Sequence, residues 1–166
     1  TYQTSSLGRL FDAVSALLMV RHVVSYEGQA AVELESLLYN SDNNDNIFYD
    51  IKTNYNNIIS SENIIIKIVE DIVKKVDPDV ISKKFHLTVC RILQKIAEKI
   101  RDERGINKIV FSGGCFQNNF LLKNLYRLLT QREFDVFTHR LIPPNDGGIA
   151  LGQAIIAGYK HLKSRG

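Results

Sequence analysis

The chain is read as one helix-rich α/β lobe with a small sheet, a β-hairpin and a C-terminal βαβα unit. Three observations predict it. Apolar residues recur at three and four residues over several segments, two short apolar runs near the C-terminus flank one such segment, and an Asn-rich turn in the middle lies between β-branched runs. A hydrophobic share of 45% and a charged share of 23% are those of a globular chain and exclude a wholly disordered one. The 166 residues are enough for one ordinary domain or one lobe of a larger one. No apolar run is long enough to span a bilayer, and a net charge of +3 is too small and too evenly spread for a phosphate-backbone binder. Neither a membrane nor a nucleic acid is expected as a partner.

Each element has a local cause. Leu7, Leu10, Phe11, Val14, Leu17 and Leu18 predict a helix over residues 6–21, capped by Ser5 or Ser6. Gly28 suits the boundary of a second helix carrying Ala30, Ala31, Leu34, Leu37 and Leu38. Residues 39–57 are crowded with Asn and Asp, which favour turns; within and beside them Ile47–Ile51 and Asn57–Ser60 predict the hairpin. Ser60 or Ser61 caps a helix through Ile64, Ile65, Ile68, Ile72 and Val73 to Val76, which Asp77-Pro78 ends. Pro78 suits the first turn of a long helix that runs to about Arg104, with Gly105 as its stop. Lys108–Phe111 and Asp135–Thr138 predict two parallel strands around a helix carrying Leu121, Leu125 and Leu129, and Ile149 to Leu162 closes the chain as a helix. Thr1 opens on helix preamble without a leader pattern, so the chain is expected to begin inside a longer protein.

Three features carry chemistry. Ser112-Gly113-Gly114 stands where a strand hands over to a helix, and without Cβ atoms its backbone N–H groups can approach a ligand closely. A tight turn that needs glycine for backbone reasons explains a bare Gly-Gly equally well. Asn118, a turn into the same helix, can reach back to read a sugar or a base edge, or can be a surface amide. Asn145-Asp146-Gly147-Gly148 is a second strand-to-helix loop on the same sheet edge, and its carboxylate is either a helix cap or an oxygen ligand for a metal. Asp12 and Glu33, set among apolar neighbours in the first two helices, either lie on solvated faces or converge on the hydroxyls of a ribose.

The four histidines, His22, His86, His139 and His161, are scattered and no cysteine pair has zinc spacing, so a metal at Asp146 needs donors from elsewhere. His86 reads as packing or a local hydrogen bond. Cys115 lacks an identifiable base and is rejected as a nucleophile, and Cys90 and Cys115 form no disulfide framework, which points to a reducing, cytoplasmic home.

Four motifs in order, Thr4–Ala13, Tyr26–Ala31, Ser112–Asn118 and Pro143–Gln153, resemble the C-terminal part of the HypF hydrogenase-maturation carbamoyltransferases. Cys115 stands where valine is commoner and Leu7 where a smaller or flexible residue is usual; neither change removes a polar contact. The resemblance implies an actin-like, RNase H-like lobe, residues 1–166, of a domain shared with the tRNA threonylcarbamoyladenosine transferases. It implies ATP as the source of a carbamoyl adenylate, and transfer of the carbamoyl group to the C-terminal cysteine of HypE. It further implies upstream acylphosphatase, zinc-finger and adenylating domains in the same protein, and a preceding lobe holding the histidines of a zinc or iron site.

By position, Asp12, Gly28, Glu33, Gly113, Gly114 and Asn118 match nucleotide-binding residues and Asp146 a metal ligand; no catalytic residue is carried over. Two alternatives stand beside this reading. One is the tRNA-modifying relative, which typically has Asp-Asn-Gly-Ala where this chain has Asp146-Gly147-Gly148-Ile149. The other is a nucleotide-binding or docking module without chemistry of its own, with an apolar face exposed where an absent lobe would pack.

Overall fold

The computed structural model describes residues 6–40, 47–50 and 61–163. In chain order these form helix α1 (Leu7–Leu17), α2 (Gln29–Ser36), α3 (Ser61–Val73), α4 (Pro78–Arg104), strand β1 (Lys108–Phe111), α5 (Asn119–Thr130), strand β2 (Asp135–Thr138) and α6 (Ile149–Lys163). Short 3-10 turns follow α2 at Leu37–Asn40 and precede α5 and α6 at Gly114–Gln117 and Asp146–Gly148.

Helix α4 has its ends written into the chain. Pro78 sits in its first turn with Asp79, Arg101 and Arg104 sit in its last, and Gly105 at φ 68° donates its N–H to the Arg101 carbonyl at 2.7 Å. Its middle is buried on most faces from Ile81 to Gln94, because α3 and α5 pack on it and α1 contributes Phe11 from above. Phe85 meets Phe11 edge-on at 4.8 Å between ring centroids, and Val14, Leu34, Ile64, Ile68, Val89, Leu121 and Leu125 complete the core around them. Strands β1 and β2 pair in parallel with Lys108 opposite Asp135 and Phe111 opposite Thr138, and α5 is the crossover between them.

Two helices stop earlier than their apolar spacing predicts. α1 ends at Leu17 rather than near residue 21, and α3 at Val73 rather than Val76. At both ends the chain turns through a left-handed residue, Met19 at φ 59° and Lys75 at φ 58°. Val20 then donates back to Ser15 and Val76 to Asp71, each at 3.0 Å. Glu133, at φ 63°, ends α5 in the same way. A non-glycine residue there carries a steric cost of about 1–2 kcal/mol. Lys75→Gly is therefore expected to raise stability by about 0.5–1 kcal/mol in urea unfolding, after the entropy glycine adds to the unfolded chain is subtracted. A decrease would mean that the lysine side chain holds the turn.

The expected hairpin is not formed by its described part. Ile47–Asp50 pairs with no described strand; instead Tyr49 donates its backbone N–H to the Thr88 hydroxyl at 2.8 Å and its phenol to Asp71 at 3.0 Å. Lys84 donates to the same Asp71 oxygen at 2.8 Å and lies over the Tyr49 ring, so this segment is fastened across α3 and α4 by side chains rather than by a strand ladder. Burial raises the Asp71 pKa, but hydrogen bonds from Lys84 and Tyr49 outweigh it and hold the carboxyl below the ordinary range. The second arm, residues 57–60, lies outside the described residues.

Helix α6 differs from the rest: every residue along it is exposed, including Ile149, Leu151, Ile155, Ile156, Tyr159 and Leu162. No described helix is long and apolar enough to cross a membrane.

Candidate functional site

The two glycine loops meet at the carboxyl edge of the sheet. Gly113 donates its N–H to the Pro144 carbonyl at 2.7 Å, and His139 Nε2 lies 3.1 Å from the Ser112 hydroxyl, so the loops after β1 and β2 are joined at two points. Gly113 adopts φ 103° and ψ 159°, a conformation side chains rarely take. A Cβ placed on Gly113 or on Gly114 would meet nothing within 4 Å, which leaves this backbone open to an approaching ligand. Gly147 and Gly148 are the reverse case. A Cβ on either would come within about 3.1 Å of Pro143 and its neighbours, which would have to give way by a few tenths of an ångström. Beside the loops a hollow of about 310 Å³ is lined by Phe111, Phe116, Gln117, Asn119, Thr138 and His139; no sequence pattern marks it.

Around this edge the carboxylates divide into two kinds. Asp146 begins the 3-10 turn before α6 and is exposed. The cap of that turn is the Asn145 side chain, which accepts from Gly147 N–H at 3.1 Å. Neither Asp146 nor the half-buried Asp12 makes a hydrogen bond or ion pair with a described residue through its carboxylate. Asp12 lies close enough to the Gly114–Gln117 turn for its charge to act on the Cys115 thiol, whose pKa burial raises first and Asp12 raises further. Cys115 is thereby held as the neutral thiol, in keeping with its rejection as a nucleophile. Cys90, more deeply buried, is pushed up to about 12.

Glu33 is engaged. Arg21 donates to both its oxygens, at 2.7 and 2.8 Å, and Gln29 adds a third bond at 2.9 Å to Oε1. Arg21 and Gln29 hold the Glu33 carboxyl below its ordinary range. Oε1 accepts from two donors and Oε2 from one, so Oε2 keeps a lone pair for a further donor. Gly28, at φ 81°, is the N-cap of α2 and directly precedes Gln29 of this cluster.

Asn118 is turned inward, where its sequence position allowed either a side chain reaching back to the loop or a surface amide. It is buried; Oδ1 caps α5 by accepting from Leu121 N–H at 2.7 Å, and Nδ2 lies 3.0 Å from His86 Nε2. The Glu35 carboxylate, from α2, accepts a second α5 donor, Phe120 N–H, at 2.9 Å. Burial lowers the His86 pKa to about 4. Its folded value lies below the ordinary 6.5, so the unfolded chain takes up the proton first as pH falls. The resulting stability, roughly 3 kcal/mol, is fully present above pH 6.5 and is lost as pH falls toward 4. Stability measured by urea unfolding is expected to fall between pH 6.5 and 5 in the native chain and to stay flatter in His86→Gln; equal slopes would contradict a neutral buried His86.

Among the described residues no three His, Cys, Asp or Glu side chains come together as a metal site. These residues alone do not fit a metal ion.

Fold and edge together define an α/β lobe of the kind that takes ligands at the carboxyl ends of parallel strands. The family is narrower than that class. The family model described as "Carbamoyltransferase, Kae1-like Domain, second subdomain" matches residues 1–153, and the chain belongs to that family. It is 37% identical over 157 residues to the carbamoyltransferase HypF of Rhizobium leguminosarum bv. viciae, covering 93% of this chain and 20% of that protein. To HypF of Synechocystis sp. it is 32% identical over 154 residues, covering 92% of this chain and 19% of that one. A full-length HypF solved in its phosphate- and nucleotide-bound form superposes with a TM-score of 0.83 at 47% identity, over 92% of this chain and 24% of that one. HypF of T. kodakarensis superposes with a TM-score of 0.81 at 28% identity, over 96% of this chain and 20% of that one. The chain thus spans about a fifth of the length of the curated relatives it matches.

Proposed function

We propose that this chain is the nucleotide-binding lobe of a carbamoyltransferase that moves a carbamoyl group from carbamoyl adenylate to the C-terminal cysteine of HypE during nickel-iron hydrogenase maturation. The observation that carries this reading is the meeting of two glycine loops at one sheet edge, with the backbone of Gly113 and Gly114 left open there. Support comes from the family and from the nucleotide-bound state of a full-length HypF that superposes on the chain.

In this reading Gly113 and Gly114 let the nucleotide approach the backbone, and Asp12 and Glu Oε2 at position 33 accept the ribose hydroxyls. Gly28 sets the start of the helix that carries Glu33, and Asn118 frames the loop from beneath. Asp146 contributes one oxygen to a zinc or iron ion whose other donors lie outside this chain. Bound there, the ion would supply Lewis-acid polarisation and positioning. The thiolate of HypE forms a bond to the carbamoyl carbon, the bond from that carbon to the adenylate phosphate oxygen breaks, and AMP leaves with the electron pair. Acylphosphatase, zinc-finger and adenylating domains of the same protein prepare the carbamoyl adenylate. The exposed apolar side of α6 packs on the preceding lobe, so the chain alone presents half a cleft, binds nucleotide weakly and transfers nothing.

The test is incubation of the full-length protein with carbamoyl phosphate, ATP, HypE and tRNA. The expected result is AMP release and a mass gain of one carbamoyl group on the terminal cysteine. Transfer to a tRNA adenosine instead, or no AMP, would overturn the reading.

A further inference from the structure

From the buried contacts between α4 and the turn before α5, we infer that His86 is a positioning residue for the nucleotide loop: its ring holds Asn118, and through Asn118 the Gly113–Gln117 backbone, in the shape that receives the ligand. The inference rests on the nucleotide-binding role proposed above.

The hydrogen-bond directions follow from the partners. His86 Nδ1 lies 2.8 Å from the Ser82 carbonyl, which can only accept, so Nδ1 carries the hydrogen and Nε2 presents a lone pair. Asn118 is the group 3.0 Å from that lone pair and must face it with its NH₂. This orientation aims Oδ1 at Leu121 N–H, 2.7 Å away, where it caps α5. Both ends of the amide are therefore fixed by one ring nitrogen. The Ser82 hydroxyl donates to the Leu34 carbonyl at 2.8 Å, which ties the same point of α4 to α2.

Among the described residues no other polar group competes closely for the ring. His86 is fully buried, with Phe11, Phe85 and Phe120 presented edge-on at 5.1, 5.7 and 5.6 Å between ring centroids. The Ser82 hydroxyl, at 3.4 Å, lies on the Nδ1 side. Asn118 in turn closes the Gly114–Gln117 turn, donating its backbone N–H to the Cys115 carbonyl at 3.3 Å, while Phe116 donates to Gly113 at 3.1 Å. Without an acceptor at Nε2, the Asn118 NH₂ would be buried and unpaired. The amide would then turn outward to recover a partner and release the turn it closes.

The test compares His86→Phe, His86→Gln, Asn118→Ser and the double variant His86→Phe/Asn118→Ser in the full-length protein. Adenosine-nucleotide affinity is read by calorimetry with ADP, and hydrogen exchange is read over residues 113–121. Phe keeps an aromatic ring and removes the acceptor, Gln can restore an acceptor, and Ser keeps the helix-capping oxygen but lacks the NH₂. His86→Phe is expected to weaken ADP binding about tenfold or more and to speed exchange of the loop amides. His86→Gln should recover most of both, and the double variant should be no worse than Asn118→Ser alone. Should His86→Phe fail to fold, Asn118→Ser breaks the same contact from the loop side and is expected to speed the same amides. ADP affinity and loop exchange unchanged in His86→Phe, or additive losses in the double variant, would overturn the inference. If the unsubstituted protein itself binds no ADP, the nucleotide-binding reading fails; faster loop exchange in His86→Phe would then still support the positioning role, and unchanged exchange would end it.

Discussion

If Asp146 holds the ion proposed above, Asp146→Ala in the full-length protein is expected to lower the proposed carbamoyl transfer by about a hundredfold or more, because a metal ion's charge is worth several kcal/mol at a transition state. Folding should be unaffected. The side chain is exposed and bonds to no described residue, and substitutions at such positions usually stay within about 0.5 kcal/mol. That combination, lost transfer with an unchanged unfolding curve, separates a ligand role from a structural one. Asp146→Asn keeps an oxygen without the charge and should fall between the two. Unimpaired transfer by Asp146→Ala would remove the metal role from this residue and leave nucleotide binding as the role proposed for the chain.

Phe85→Ala carries the largest expected cost in stability, about 3–5 kcal/mol by urea unfolding. Phe85 is fully buried, faces Phe11 edge-on at 4.8 Å and touches the His86 ring at 5.7 Å, so truncation opens a cavity where α1 crosses α4. Against a total of about 5–15 kcal/mol for ordinary domains, that loss leaves the fold marginal. A cost below about 1 kcal/mol would mean that the α1–α4 contact is not the centre of the core.

What the sequence could express was whatever is written locally. Helix α4 was legible at both ends because proline, acidic and basic residues, and Gly105 each act within a turn of the helix terminus. The βαβ unit was legible from two four-residue apolar runs and the leucine spacing between them. The ends of α1 and α3 were not, since Met19 and Lys75 occupy the left-handed position that glycine usually marks. At the site the two glycine loops, and their common edge, followed from strand-to-helix order alone. The state of each side chain did not. Asn118 is turned inward by His86, 32 residues away in the chain, and Glu33 is clasped by Arg21, 12 residues away; contacts at such separations leave no periodic trace. Of the two roles its position allowed Asp146, the cap is taken by the Asn145 side chain instead.

The claim at the centre of this account is that the open backbone at Gly113 and Gly114 receives an adenosine nucleotide. Gly114 tests it most directly, because its φ lies outside the range rarely adopted by side chains and a Cβ there meets nothing within 4 Å. A larger side chain at this position intrudes on the ligand's space rather than on the protein. Calorimetric titration of ADP into the full-length protein and into its Gly114→Leu variant should show binding by the first and a loss of at least about tenfold in the second, with the two proteins unfolding at the same urea concentration within error. Equal ADP affinity in both would contradict the placement of the nucleotide at this loop.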